Sequence, residues 1–224
     1  MLKPVLIIKE ALQRFYTPRR FLWRLPQGAT GFALTFDDGP DPIYTPLLLD
    51  LLAKHAVKAT FFVVGEKAAQ QPQLIRRIVD EGHAVGGHTW SHREVVGISA
   101  AELAADLGRC RAVLAEAGGV DSTLFRPPRG KVDAASIRRV LALGYRMVHW
   151  SRTYSDFQRD GLAPLLARLQ AAPPQARDIV LLHDHNQHTI DALATLLPQW
   201  RAAGLSCVVL DGQQPAVSVA SAAG

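Results

Sequence analysis

The feature that most limits the fold of this chain is a regular alternation of short apolar runs with helical patterns, which begins at Phe32. The alternation repeats about every 25 to 35 residues, as is typical of parallel βα units. It predicts seven strands, over residues 32–36, 59–64, 84–85, 122–125, 145–149, 178–182 and 205–210. Seven such units without a glycine-rich phosphate loop favour a single-domain, distorted (β/α)7-type barrel over an open doubly wound sheet. In a barrel, functional side chains lie at the C-terminal ends of the strands.

Capping residues and helix breakers set the bounds of the predicted helices. Ser99-Ala-Ala-Glu102 has the form of a capping box, and Gly118-Gly119 ends the helix that it opens. Thr45-Pro46 is a second helix start, since a capping residue is followed there by proline. The predicted helices cover residues 45–55, 72–81, 99–118, 133–143, 162–170 and 190–203.

The net positive charge of the chain is confined to its N-terminal segment. The formal net charge is +5, and residues 1–24 alone carry six basic residues against one glutamate. The rest of the chain is balanced, so we expect no nucleic-acid partner for the domain. The chain therefore divides into a basic aromatic arm (1–28), one domain (29–212) and a loose tail rich in small residues (213–224).

The arm also contains aromatic and apolar residues among its charges, namely Phe15, Tyr16, Phe21, Leu22 and Trp23. Such a mixture is typical of a segment on an anionic membrane surface, and the alternative is a strap packed on the domain. The apolar run at residues 5–8 is too short for a secretory signal. We therefore expect a cytoplasmic protein, with peripheral contact of residues 1–24 to the inner face of the membrane.

Two adjacent carboxylates follow the first predicted strand, in Thr35-Phe36-Asp37-Asp38-Gly39-Pro40. Side chains alternate along a strand, but the Gly-Pro turn beyond its end lets Asp37 and Asp38 converge on one site. There, one carboxylate can ligate a cation while its neighbour stays ionised and accepts a proton. The alternative is a strand that ends in an Asx-type turn and carries no chemistry.

Two histidines follow the third predicted strand, in His88-Thr-Trp-Ser-His92. This spacing suits two imidazoles on one metal ion, and the alternative is two unrelated histidines. Two imidazoles and one carboxylate leave room for water and fit zinc, with Co²⁺, Ni²⁺ or another borderline divalent ion as alternatives. The same ligands serve non-haem iron oxygenases. The additional carboxylate of Asp37 can act as a general base on water, which is the arrangement expected of a hydrolase.

The fourth and sixth predicted strands also end in candidate functional residues. The fourth leads into Arg126-Pro-Pro-Arg-Gly130, where the prolines fix the backbone and Arg126 can hold a carboxylate. The alternative for this segment is a surface loop. The sixth ends in Leu181-Leu-His183, and a histidine directly after a buried strand can deliver a proton. His183 is therefore the predicted general acid.

Taken in order, these four motifs resemble the polysaccharide deacetylases with a NodB homology domain, carbohydrate esterase family 4, over residues 29–212. The stretches Ala59-Thr-Phe-Phe-Val and Val148-His-Trp-Ser are similar to those of rhizobial chitooligosaccharide deacetylases. The resemblance implies a distorted (β/α) barrel that uses a divalent metal to remove N-acetyl groups from N-acetylated amino sugars. The carbohydrate substrate would be an oligosaccharide, a polysaccharide or a lipid-linked glycan.

The resemblance also implies a role for each motif residue. The metal ligands would be Asp38, His88 and His92. Asp37 would deprotonate the water, Arg126 would orient Asp37, and His183 would protonate the leaving amine. The backbone amide near Arg129 would help to stabilise the oxyanion, and Leu181 would line the acetyl pocket. The residues expected to contact substrate are Pro127, Arg129, Gly130, Asp156, Phe157 and Leu181.

Three positions depart from the usual family pattern. Arg129 stands where the family usually has tyrosine, and a cation there indicates an acidic substrate group such as a phosphate. Thr153 replaces an aspartate, so we expect His183 to be a weaker acid unless Asp156 compensates. Phe157 replaces tryptophan, which keeps an apolar wall and loses an indole donor. These departures leave open a deformylase or another amide hydrolase on the same fold, and a non-catalytic carbohydrate-binding descendant.

Overall fold

The computed structural model describes residues 20–158, 160–210 and 212–215 of the chain. The strands are β1 (Phe21–Leu22), β2 (Ala33–Asp37), β3 (Thr60–Val63), β4 (Ala84–Gly87), β5 (Val120–Ser122), β6 (Leu124–Phe125), β7 (Arg146–Val148), β8 (Arg152–Thr153), β9 (Ile179–His183) and β10 (Gln213–Pro215). The helices are α1 (Tyr44–Lys54), α2 (Gly65–Gln70), α3 (Pro72–Asp80), α4 (Ala100–Gly118), α5 (Ala134–Ala142), α6 (Leu162–Ala171) and α7 (Gln187–Ala202). Two short 3₁₀ turns, Pro128–Gly130 and Asp156–Gln158, follow β6 and β8.

One curled parallel sheet organises the described part of the chain. Its strand order is β1-β7-β6-β4-β3-β2-β9-β8, and β10 pairs separately with β5 in an antiparallel ladder. The curl forms an incomplete barrel, with β1 and β8 at its two edges and helices packed on its outer face. This architecture confirms the predicted single-domain, distorted (β/α)7-type barrel.

The two faces of the sheet bury different side chains because side chains alternate along each strand. Leu34 and Phe36 of β2 belong to the cluster that packs under α1 and α7. Ala33 faces the opposite, concave side and belongs to a second apolar cluster there. Thr35 and Asp37 continue this concave row and are buried, so the row becomes polar towards the C-terminal end of β2. Polar chemistry is therefore placed at the strand ends, as the barrel prediction requires.

The longest helix begins and ends where its sequence indicates. The Ser99 side chain accepts the Glu102 amide at 3.2 Å, and the Glu102 carboxylate accepts the Ser99 amide at 2.9 Å. These two bonds satisfy backbone donors that have no partner inside the helix. Gly119 follows α4 with a left-handed φ of 69°, which glycine adopts at little cost. The predicted capping box and C-terminal glycine are both confirmed.

The sheet differs from the predicted strands at its edges. Phe21 and Leu22 form β1 beside β7, and β8 pairs with β9, although neither strand was predicted. Residues 205–210 were predicted as the last strand, and this prediction is wrong. They make one isolated bridge, between Phe32 and Cys207. β3 and β9 already pair with the two edges of β2, so β2 has no free edge to which residues 205–210 could add as a further strand.

The boundary of the domain lies within the predicted arm. Phe21, Leu22 and Trp23 are all buried in the core, so the strap alternative holds for this part of the segment. Residues 1–19 lie outside the described residues, and their membrane contact stays a prediction. In the predicted tail, Gln213–Pro215 pairs with β5, and residues 216–224 lie outside the described residues. Among the described helices, none combines the length and the apolar character needed to cross a bilayer.

Candidate active site

The register of the sheet brings Asp37 beside His183. Asp37 closes β2, His183 closes β9, and the two residues are partners across the parallel ladder. Partners on neighbouring strands point to the same face of a sheet, which here is the concave one. Both residues are nearly buried, with Asp37 3% and His183 9% exposed. The predicted base and the predicted acid therefore share one end of the barrel.

Arg126 holds the Asp37 carboxylate from inside the barrel. Its Nη1 donates to Asp37 Oδ1 at 2.6 Å and to Thr35 Oγ1 at 2.8 Å. Its Nε and Nη2 donate to the backbone carbonyls of Val148 and His149, at 3.3 and 3.0 Å. Burial lowers the pKa of Arg126, and the adjacent Asp37 charge opposes that shift. Each guanidinium nitrogen of this fully buried side chain thus has a partner, as a buried charge requires.

Asp38, His88 and His92 form a compact group of possible metal ligands. One ligand atom from each residue lies within 4.8 Å of the others. Asp38 Oδ1 is 3.4 Å from His88 Nε2 and 3.2 Å from His92 Nε2. His88 Nδ1 donates to the Arg126 carbonyl at 2.8 Å, so its Nε2 presents a lone pair to the group. Two imidazole nitrogens and one carboxylate oxygen fit a borderline divalent cation such as zinc.

The backbone around this group adopts conformations that non-glycine residues rarely take. Asp38, Thr89 and His92 have φ values of 75°, 60° and 61°. Lys67 Nζ donates to the Asp38 carbonyl at 2.7 Å and helps to fix the first of them. Burial opposes ionisation of Asp38, but the adjacent imidazoles of His88 and His92 hold the pKa of its carboxyl well below the ordinary value. Strain of this kind collects at ligand sites, where the surroundings maintain it.

Asp156 holds His183 on the side away from the ligand group. Asp156 Oδ1 accepts His183 Nδ1 at 2.9 Å, and Oδ2 accepts the His183 amide at 2.7 Å and Thr189 Oγ1 at 2.9 Å. Burial alone would lower the pKa of His183, but Asp156, with smaller contributions from Asp37 and Asp38, raises it to about 9. His183 Nε2 faces the site, 4.0 Å from Asp38 Oδ2.

These contacts correct the expectation that Asp156 contacts the substrate. Asp156 is buried behind His183, so its carboxylate reaches the histidine and not the open cleft. Thr153, the position where the family aspartate is missing, is exposed on β8. The charge that was expected to be lost at Thr153 is therefore present at Asp156.

The other expected substrate contacts lie around the mouth of the site. Arg129 Nη1 is 2.9 Å from Glu94, and Lys131 Nζ lies 2.9 Å from the same carboxylate. The sequence predicted a cation at Arg129, and the structure shows that Arg129 and Lys131 share the Glu94 carboxylate. Gly130 packs against Trp150 so closely that a Cβ would lie 2.6 Å from the indole ring, which explains the need for glycine there.

Three more expected contacts line the inner part of the site. Phe157 is 54% exposed, and its ring lies edge-on to His183 with a centroid distance of 5.8 Å. Leu181 is buried one step below His183 on the same face of β9. Pro127 is buried beside Arg126. The apolar side chains of Phe157 and Leu181 thus lie next to His183, the predicted acid.

A cleft of about 700 Å³ opens directly onto Asp38 and His92. Most of its lining residues carry polar side chains, among them Asp41, Tyr44, Glu66, Asn186, Gln187 and His188. These residues come from segments after β2, β3 and β9, so only the fold joins them, and no motif in the sequence indicated them. The volume lies within the usual range for small-ligand sites.

Asp184 is a further buried carboxylate near the site, and no prediction from the sequence gave it a role. Thr45 Oγ1 donates to Asp184 Oδ2 at 2.6 Å, although Thr45 was expected to cap α1. A Cβ at Gly39 would lie 2.0 Å from the same oxygen, so Asp184 packs directly on the turn after Asp38. Burial raises the pKa of Asp184 to about 7. In the sequence, only its position directly after His183 indicated that Asp184 lies near the site.

Known proteins are similar to this chain in both sequence and fold. The polysaccharide deacetylase family matches residues 24–148. A peptidoglycan-N-acetylglucosamine deacetylase of Bacillus cereus is 34% identical over 193 residues, covering 84% of this chain and 90% of that protein. A chitooligosaccharide deacetylase of Sinorhizobium fredii is 33% identical over 195 residues, covering 80% and 90%. The crystal structure of the Bc1960 peptidoglycan N-acetylglucosamine deacetylase matches with a TM-score of 0.80 at 29% identity, covering 86% of this chain and 91% of that one. Since similarity at this level spans most of each chain, the protein belongs to the polysaccharide deacetylases of carbohydrate esterase family 4 and is a metal-dependent carbohydrate N-deacetylase.

Proposed function

We propose that this deacetylase hydrolyses the N-acetyl group of N-acetylglucosamine units in peptidoglycan or chitooligosaccharide glycans. The observation that carries the proposal is the meeting of three groups at one end of the sheet: Asp37 with Arg126, the ligand group around Asp38, and His183 with Asp156. A base, a cation site and an acid are the parts that amide hydrolysis requires. The names of the two relatives supply the substrate class.

Asp37 is the proposed general base. Arg126 binds its Oδ1, while its Oδ2 faces the ligand group, 3.9 Å from His88 Nε2. From this position Oδ2 can take a proton from the attacking water as the water oxygen forms its bond to the acetyl carbonyl carbon. Arg126 is a positioning residue, because it contacts Asp37 and lies fully buried behind it.

Asp38, His88 and His92 are the proposed ligands of a divalent cation. Zinc is the first candidate, and Co²⁺ or Ni²⁺ are alternatives, because two imidazoles and one carboxylate suit borderline ions. Bound there, the cation would supply Lewis acidity towards the attacking water and the acetyl carbonyl oxygen. The strained backbone at Asp38 and His92 supports a site built for a ligand.

His183 is the proposed general acid. When the tetrahedral adduct of the substrate collapses, its C–N bond breaks and the sugar amine leaves. His183 Nε2 donates the proton that this nitrogen needs, so the products are acetate and a free amino sugar. Asp156 is the positioning residue that keeps the imidazole protonated and turns Nε2 towards the site.

The glycan is proposed to lie along the cleft that opens onto Asp38. Hydroxyl and amide groups of a sugar match its polar lining, and Tyr44 offers an aromatic ring to a sugar face. The acetyl methyl would point towards Leu181, the buried apolar residue below His183. The backbone amide near Arg129 is the proposed second stabiliser of the oxyanion.

An acetate-release assay tests the proposal. Purified protein is loaded with Zn²⁺ or Co²⁺ and incubated with chitooligosaccharides or with peptidoglycan fragments. Asp37→Asn and His92→Ala should each lower acetate release by about 100-fold or more. His55→Ala is the matched histidine control, since His55 lies at the end of α1, and it should leave the rate unchanged. Release of no acetate from either glycan by the metal-loaded protein would contradict the proposal.

The alternatives predicted from the sequence give different outcomes in the same assay. A deformylase would release formate from N-formyl sugars faster than acetate from N-acetyl sugars. A non-catalytic carbohydrate-binding descendant would bind glycans equally well with Asp37→Asn and release no acid. The retained contact between His183 and Asp156 supports an enzyme over this descendant.

A cytoplasmic location also belongs to the proposal, and there the accessible substrate would be a chitooligosaccharide or a lipid-linked glycan and not the assembled cell wall. Membrane contact through residues 1–19 is the remaining part of the proposal. The aromatic residues at Phe21 and Trp23 are buried in the domain, so the basic residues before them would provide the contact. Co-sedimentation with anionic lipid vesicles, with and without residues 1–19, tests this. Equal sedimentation of the two proteins would contradict it.

A further inference from the structure

Two side chains of helix α4 contact the loop that carries His88 and His92. Trp90 lies between the two histidines, and its backbone amide donates to Asp106 Oδ1 at 2.8 Å. The guanidinium carbon of Arg109 lies 3.5 Å from the centroid of the Trp90 ring. Asp106 and Arg109 are three residues apart and share one face of α4. This face therefore binds both the backbone and the side chain of Trp90.

The N-terminal end of α2 holds the same loop from the other side. The amides of Gly65 and Glu66 donate to the carbonyls of Thr89 and Trp90, at 3.0 and 2.9 Å. The first amides of a helix have no acceptor within the helix, so these bonds satisfy both partners. A Cβ at Gly65 would lie 2.6 Å from the Trp90 ring, which shows how closely the indole packs on α2.

The loop needs such support because its backbone is strained. Thr89 and His92 both adopt left-handed φ values, each of which costs on the order of 1 kcal/mol or more for a non-glycine residue. Without outside contacts, the segment would relax to commoner conformations and move the two imidazoles apart. The bonds from α2 fix two carbonyls, and Asp106 fixes the amide between the histidines.

We propose that Asp106 is a positioning residue of the metal-binding loop, assisted by Arg109. The contacts of these two residues with Trp90, here called the clamp, set the affinity of the loop for its divalent cation. The inference rests on the cation site proposed above. Asp106 acts through Trp90, because its carboxylate bonds the Trp90 amide and not an imidazole. Loss of groups that orient metal ligands typically weakens metal binding about 10- to 100-fold.

Cation affinity measured without substrate tests the clamp. The dissociation constants of Co²⁺ and Zn²⁺ are measured for the full chain by calorimetry and by the Co²⁺ absorption spectrum. Asp106→Ala should weaken binding by about 10-fold. Asp106→Asn keeps an oxygen acceptor for the Trp90 amide and should restore most of the affinity. Arg109→Ala removes an exposed cation–π contact and should weaken binding by about 2- to 5-fold.

Two further measurements separate a local effect from general damage. In the cation-free protein, hydrogen exchange of the peptide over residues 88–94 should become faster in Asp106→Ala, while exchange in β2 and β9 stays the same. Glu116→Ala removes an exposed carboxylate from the far part of α4 and is the matched control. If Asp106→Ala does not fold, the exposed Arg109 decides the question, because its replacement leaves the core intact.

The outcomes also separate this inference from the proposed function. Wild-type affinity retained in Asp106→Ala and Arg109→Ala would overturn the clamp and leave the deacetylase proposal standing. Equal losses in Asp106→Ala and Asp106→Asn would also overturn it, because the acceptor oxygen would then be irrelevant. A wild-type protein that binds neither ion would overturn both the clamp and the cation site. Tight binding without acetate release would refute only the proposed reaction.

Discussion

Asp156→Asn should lower the pH at which deacetylation stops. Burial disfavours the imidazolium of His183, but the Asp156 carboxylate raises the pKa of His183 to about 9, against an ordinary value of 6.5. The acid works in its protonated form, so activity is present below this pKa and is lost as the pH rises through it. In the variant the Asp156 charge is gone, while burial and the smaller contributions of Asp37 and Asp38 remain, so the pKa of His183 falls towards its ordinary value of 6.5.

The size of the effect follows from the protonated fraction of His183. At pH 8 this fraction is about 0.9 for a pKa near 9 and about 0.03 for a pKa near 6.5, a loss of roughly 30-fold. At pH 5.5 the fraction exceeds about 0.9 in both proteins, so the two rates converge. A bound cation adds positive charge near His183 in both proteins, and the quantity to compare is therefore the difference between their alkaline limits.

The assay is acetate release from a chitooligosaccharide, with kcat measured from about pH 5 to pH 10. Asp191→Asn removes a carboxylate from α7 that binds Gln187, and this control should keep the native alkaline limit. An aryl acetate provides a second control, because its phenolate leaves without a proton and should be hydrolysed equally fast by both proteins. An unchanged alkaline limit in Asp156→Asn, or an equal loss with the aryl ester, would refute the assignment of His183 as the acid.

Three other substitutions give predictions of different kinds. Arg126→Met leaves the buried Asp37 carboxylate without its cation and should lower the free energy of unfolding by about 3 to 5 kcal/mol in urea titrations; a change below about 1 kcal/mol would contradict the pairing. Arg129→Ala removes one exposed cation from the rim, so stability should change by less than about 1 kcal/mol, while KM should rise for an anionic glycan and stay constant for a neutral one. Equal changes in the two KM values would exclude charge recognition by Arg129. Gly39→Ala places a Cβ 2.0 Å from Asp184 Oδ2 and should lower stability by about 1 to 3 kcal/mol, and an unchanged midpoint of thermal unfolding would show that the turn can shift.

The parts of the fold that the sequence predicted are those with agreeing local signals. β2 combines an apolar run with a Gly-Pro turn directly after its two carboxylates, so the strand and its end were both evident. The start of α4 was also predictable, because Ser99 and Glu102 satisfy helix donors within four residues of sequence. The ligand group could be inferred because parallel strands bring their C-terminal ends together.

The parts that were missed depend on pairing between distant segments. Phe21 and Leu22 sit among basic residues, and only their ladder with β7 makes them a strand. Residues 205–210 have a strand-like composition, but both edges of the neighbouring strand β2 are already paired, with β3 and with β9. Asp156 was predicted both as a substrate contact and as a possible replacement for the carboxylate missing at Thr153, and only the fold shows that it turns inward to His183. Local pattern thus predicts elements, whereas partners across the barrel follow from topology.

The pairing of Asp37 with His183 in the sheet separates chemistry from substrate choice. The spacing of the two residues is set by the hydrogen-bond ladder between β2 and β9, and no loop contributes to it. Loops around the cleft that do not carry His88, His92 or Asp156 can therefore change in length or be exchanged with those of another deacetylase while base and acid keep their distance. A single residue inserted within β2 or β9 would have the opposite effect, because it would turn one of the two side chains to the helix-covered face. Transplanting loops onto this sheet is thus a route to new glycan preferences that leaves the proton-transfer pair in place.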